Sequence, residues 1–97
     1  MSRIELFITH PCLSYQPAMD LWEALREALP DQEYEVVNSR ENRERAKAAG
    51  VIIDPAFVVD GRLALSGLPH RDRLIEKVKA FIKVEGSGRE RGKMERS

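Results

Sequence analysis

Gly50-Val51-Ile52-Ile53-Asp54-Pro55-Ala56-Phe57-Val58-Val59-Asp60-Gly61-Arg62-Leu63-Ala64-Leu65 is the stretch on which the fold turns. Residues 57–59 and 62–65 are short strand-like runs separated by Asp60-Gly61. Asp-Gly between two such runs is the strongest short-range hairpin signal, because both central residues of the tight turn need positive φ. Pro55 stands just before the first strand, and X-Pro is the only peptide for which the cis isomer is cheap, so a cis bond fits at Asp54–Pro55. After the hairpin, Gly67 and Pro69 release the chain into a last helix over about 70–83. Its apolar face is Leu74, Ile75, Val78, Phe81 and Ile82.

Upstream, residues 4–9 are β-branched or aromatic and almost continuously apolar, as in a central strand covered on both faces. Pro11 cannot donate a ladder hydrogen bond, so the chain turns there. From 17 to 29, Ala18, Leu21, Trp22, Leu25, Ala28 and Leu29 recur at spacings of three and four, which predicts an amphipathic helix with Trp22 in the core. The segment 12–16 forms its leading turn, with a bend at Pro17. Residues 34–38 form a second strand, parallel to the first across that helix in a right-handed unit. Asn38 or Ser39, with Glu41, resembles a helix cap, and 41–49 is then a short charged helix burying Ala46 and Ala49 and closed by Gly50. Its Arg40, Arg43, Arg45 and Lys47 alternate with Glu41 and Glu44, a pattern expected of a solvated face. No internal repeat is present.

The 97 residues suit one domain, and 42% apolar with 33% charged residues is a globular composition. Sixteen basic and sixteen acidic residues cancel, and one Trp, two Tyr and three Phe are few aromatics for stacking bases, so no nucleic acid is expected as partner. No apolar run reaches the roughly 20 residues of a membrane span, and no signal peptide opens the chain, so a cytoplasmic protein without membrane contact is expected. A single cysteine cannot form an internal disulfide, in keeping with a reducing compartment, and one Cys with two His makes no metal site.

That cysteine, Cys12, opens the first helix. A thiol there faces unpaired backbone N–H groups and the positive end of the helix dipole, which favour the thiolate. The competing reading is a small buried hydrophobe. His10, if protonated, would favour the thiolate further, or it is a surface residue at a strand end. Tyr15 either donates a hydrogen bond to the sulfur or packs over it.

The order β-α-β-α-β-β-α, with Cys12 opening the first helix and Pro55 the third strand, resembles the thioredoxin fold. It is most similar to the small thioredoxin-like and glutaredoxin-like redox-active disulfide proteins. The resemblance covers residues 3–84 and is carried by Gly50-Val51, Pro55-Ala56-Phe57-Val58-Val59-Asp60-Gly61, and Gly67 with Pro69. It implies an α/β, three-layer architecture in which a four-stranded mixed sheet is flanked by helices, residues 1–84 forming the domain; the Gly-Ser-Gly and alternating charges after Val84 are the composition of a disordered tail, 85–97. It also implies that Cys12 is the attacking thiol and Pro55 the proline beside it that helps hold an extended substrate; Pro11 and Asp54 flank that groove. The family's second cysteine is replaced, the motif reading Cys12-Leu13-Ser14-Tyr15. Without a resolving thiol the protein cannot attack its own mixed disulfide.

Two functions remain open. One is a monothiol protein forming mixed disulfides through Cys12, with protein or low-molecular-weight thiols and disulfides as partners. The other is a redox-inert module holding an extended partner segment beside Pro55. No cofactor is expected; the Cys-Gly-Phe-Ser motif of cluster-carrying glutaredoxins is missing. The protein is expected as a monomer, or as a Cys12-linked dimer under oxidation.

Overall fold

The computed structural model describes residues 2–9 and 13–90, with side chains described to residue 82. The elements are β1 (Arg3–Ile8), α1 (Tyr15–Ala28), β2 (Glu33–Asn38), α2 (Arg43–Ala49), β3 (Ala56–Val59), β4 (Arg62–Ser66) and α3 (Arg71–Glu90). They form one mixed sheet in the order β2-β1-β3-β4. β1 pairs in parallel with β2 and antiparallel with β3, and β3 pairs antiparallel with β4. This is the thioredoxin fold implied above.

β1 is buried on both faces, as its apolar run predicts. Ile4, Leu6 and Ile8 face a core with Ala18, Trp22 and Leu25 of α1 and Leu74 and Val78 of α3. Phe7 points the other way, to Val37, Ala46, Ala49, Ala56 and Val58. Trp22 is a core residue, edge-on to Tyr34 at 5.3 Å between ring centroids and tilted against Phe57 at 6.4 Å.

The hairpin turn takes the conformation that Asp-Gly supplies, φ +49° at Asp60 and +82° at Gly61. Asp60 also fastens the hairpin to β1: its Oδ1 accepts from the Arg3 N–H at 2.9 Å, and its own N–H donates to the Arg3 carbonyl at 2.8 Å. Gly50 ends α2 in the left-handed conformation (φ +88°), as its position predicts.

Several boundaries differ from the expectations. α1 begins at Tyr15 and runs through Pro17. Pro17 is the third helical residue, where the missing N–H would have had no intrahelical acceptor, so no hydrogen bond is lost. The expected cap at Asn38 or Ser39 is not used. Asn42 is the N-cap residue of α2, and Asn38 Oδ1 instead accepts from the Arg40 N–H at 2.9 Å. Asn38 thus closes a local turn, the competing use of a short polar side chain. α3 runs to Glu90 rather than Lys83, so helical backbone enters the segment expected as tail. Extending an existing helix needs no new nucleus. Residues 91–97 lie outside the described residues.

The expected solvated face of α2 is not uniform. Glu5 and Glu35 stand opposite each other in the β1–β2 register. Like charges so placed repel. Arg45 reaches over from α2 and donates to Glu5 and, at 3.2 Å, to Glu35; Arg3 donates to Glu35 and lies 3.5 Å from Glu5. Glu5 is buried, so this network satisfies a charge that would otherwise be stranded. The Arg45 hydrogen bond holds the Glu35 carboxyl below its ordinary value of 4.5, against a smaller opposing effect of burial, and Arg3 adds to the lowering. A carboxyl lowered in the folded state contributes stability above its unfolded value and loses it as pH falls through the folded one. Glu35→Gln should therefore flatten the decline in urea-unfolding stability between about pH 5 and pH 3. The Glu35 side chain is 39% exposed, so the difference should shrink in high salt. An unchanged pH slope would contradict the assignment.

Candidate functional site

The described part of the site is the end of the sheet where β1 stops and β3 starts. Phe7 pairs with Ala56, which carries the preceding Asp54 and Pro55 to the end of β1. There the Thr9 hydroxyl donates to Asp54 Oδ2 at 2.6 Å. The Asp54–Pro55 peptide is cis and Pro55 is buried. The Gly67 N–H donates to the Pro55 carbonyl at 2.7 Å, with Gly67 at φ +86°. Glycine is the residue that reaches this conformation without strain. The Gly-Pro punctuation before α3 thus fixes the proline loop as well as ending β4.

At the start of α1, the Ser14 carbonyl accepts the Ala18 N–H at 3.0 Å, and the Ser14 side chain makes no capping bond. Tyr15 is the first helical residue and packs, half-buried, against the α1–α3 core. Of the six residues singled out from the sequence, Asp54 and Pro55 meet at the β1 end and Tyr15 opens α1. His10, Pro11 and Cys12 lie outside the described residues. Thr9 was missed; a threonine ending a strand gives no signal until its partner, 45 residues on, is known.

Around this end four large apolar side chains are exposed: Leu13, Ile52, Ile53 and Leu68, at 102%, 90%, 64% and 48%. Ile52 and Ile53 read in sequence as the run leading into β3, yet they lie in the preceding loop and bury little. All four stand on loops, Leu13 before α1, Ile52 and Ile53 before Pro55, and Leu68 after Gly67. Among the described residues no group of His, Cys, Asp or Glu could hold a metal ion, and no helix is long and apolar enough to cross a membrane.

No family model matches the chain. A thioredoxin from Methanocaldococcus jannaschii is 31% identical over 78 residues, covering 79% of this chain and 92% of that protein. The chain belongs to the thioredoxin family. Solved thioredoxins agree in fold. That of Fasciola hepatica is 26% identical with a TM-score of 0.65, covering 81% of this chain and 79% of its own. A point mutant of the Halobacterium salinarum thioredoxin is 24% identical with a TM-score of 0.65, covering 82% of this chain and 74% of its own. Tyr15 stands three residues after Cys12, the single cysteine of the sequence.

Proposed function

We propose that this thioredoxin-family chain is a cytoplasmic monothiol protein that forms mixed disulfides through Cys12 with protein and low-molecular-weight disulfides. The observation that carries the reading is the family membership together with one cysteine in the whole chain. Cys12 thiolate attacks one sulfur of a substrate R–S–S–R′. The substrate S–S bond breaks, Cys12–S–S–R forms, and R′–S⁻ leaves and takes a proton from water. With Tyr15 where a second thiol would stand, release of R needs an external thiol. On this reading Pro55, Asp54 and Pro11 hold the extended substrate segment, and His10 and Tyr15 adjust the Cys12 thiol. The exposed Leu13, Ile52, Ile53 and Leu68 supply apolar contact for an extended segment of a protein substrate.

The same apolar rim favours a second reading, a module that binds such a segment without redox chemistry.

Tyr15→Cys separates the two. The expected result is that wild type accumulates a mixed disulfide that persists until a thiol is added. Tyr15→Cys should resolve it alone and reduce a protein disulfide at least about tenfold faster in the presence of a reductant. If the variant gains nothing and wild type captures no disulfide, the redox reading is wrong and the binding module stands.

A further inference from the structure

The chain is neutral overall, but its charges are segregated. Residues 1–38 carry seven acidic and two basic side chains, and residues 39–97 carry nine acidic and fourteen basic ones. On α1 the exposed Asp20, Glu23 and Glu27 recur at spacings of three and four, on the side of the helix away from the buried Ala18, Trp22 and Leu25. Asp31 and Glu33 follow, also exposed, where the chain turns into β2. Arg26 is the one basic residue of residues 4–39, and it pairs with Glu23 at 3.3 Å.

The opposite charge gathers at α2. Arg40, Arg43 and Lys47 line one side of the cleft beside Asp54, whereas Glu41 and Glu44 do not line it. Among the described residues none of these three cations makes an ion pair, while Arg45 is taken up by Glu5 and Glu35. Glu23 and Glu27 on α1, and Arg43 and Lys47 on α2, each set like charges four residues apart, a spacing that disfavours the helix. Stability of the single chain therefore accounts for neither stripe. One chain cannot relieve itself by joining them: α1 packs on the sheet face of Ile4, Leu6 and Ile8, and α2 on the face of Phe7. Two chains can. With formal net charge zero, no overall repulsion opposes their approach.

We infer that the acidic stripe of α1 in one copy docks on the cationic stripe of α2 in a second copy of this chain. The two surfaces differ, so the contact is heterologous. Each added copy leaves one face of each sign free, and the assembly grows head to tail. Its contacts are between exposed charges, which makes it weak and sensitive to salt. The cationic stripe borders Ile52 and Asp54, so a docked copy covers one side of the loop before Pro55. None of this depends on the chemistry of Cys12.

The full chain is followed by sedimentation velocity under a reductant, so that no Cys12 disulfide contributes. In about 0.01 M salt, where charges act over about 30 Å, the weight-average mass should rise with protein concentration; in about 1 M salt, where they act over about 3 Å, it should stay at that of the monomer. Amide shifts that change on dilution in low salt should fall on two separate stretches, residues 20–33 and 39–47. Glu23→Gln/Glu27→Gln and Arg43→Gln/Lys47→Gln should each weaken self-association about tenfold. Arg73→Gln/Lys77→Gln removes the same charge from the exposed face of α3 and should leave it unchanged. Reversing both stripes in one chain, Glu23→Lys/Glu27→Lys/Arg43→Glu/Lys47→Glu, keeps the net charge at zero and should restore association. A mass independent of concentration in low salt, an equal loss in the α3 variant, or a reversed chain that stays monomeric would overturn the proposal. So would dilution shifts confined to one stripe, the result expected of two like faces in contact or of a small anion bound at α2.

Discussion

Replacing Cys12 by serine is expected to abolish mixed-disulfide capture completely, because the chain holds no other thiol. A hydroxyl at that position is not ionised near neutral pH and cannot carry out the exchange, which needs a thiolate. Serine differs from cysteine by one atom, and thermal unfolding of the variant beside wild type separates a loss of chemistry from a loss of fold. The decisive comparison is with partner binding. Under the monothiol reading, covalent complexes on non-reducing gels vanish with Cys12→Ser while weak association through the apolar rim of Leu13, Ile52, Ile53 and Leu68 persists. Equal recovery of partners by both forms, with no covalent species from wild type, would favour the binding module.

Trp22→Ala should produce the largest loss of stability in the molecule. Trp22 is 2% exposed and belongs to the α1–α3 core. Its ring lies edge-on to Tyr34 at 5.3 Å and 6.4 Å from Phe57. Removing it leaves a cavity among residues that cannot all close in, at a cost of about 3–5 kcal/mol. Loss of the aromatic pairing adds to that cost. Single domains are stable by about 5–15 kcal/mol, so the variant should sit near the unfolding threshold. Its urea midpoint should fall steeply with little change in slope. A loss below about 1.5 kcal/mol would mean that Trp22 contributes as a surface platform rather than as core.

What could be read from the sequence was what local chemistry decides. Asp60-Gly61 must adopt positive φ whatever surrounds it, and it does. The three-and-four spacing of Ala18, Trp22 and Leu25 places them on one buried face regardless of partner. What stayed hidden needed a distant partner. Glu5 interrupts an apolar strand and looks like its exposed residue, yet it is buried because Arg45, 40 residues on, reaches over to it. Read only as alternating signs, α2 suggested one solvated surface. The fold divides its cations between the Glu5–Glu35 pair and the cleft beside Asp54. At the site, Pro55 stood out because X-Pro is the peptide for which cis is cheap, while Thr9 acquires meaning only from its bond to Asp54. Ile52 and Ile53 show the same limit from the other side, since an apolar run in sequence does not reveal that the loop before β3 leaves it exposed.

The most direct test of the account is the rate of Cys12 alkylation by iodoacetamide as a function of pH in the folded protein. An apparent thiol pKa well below the unperturbed value of about 8.5 is predicted, because exchange through Cys12 near neutral pH needs the thiolate. A value at or above about 8.5, with alkylation slow until the chain is unfolded, would contradict monothiol redox chemistry at Cys12.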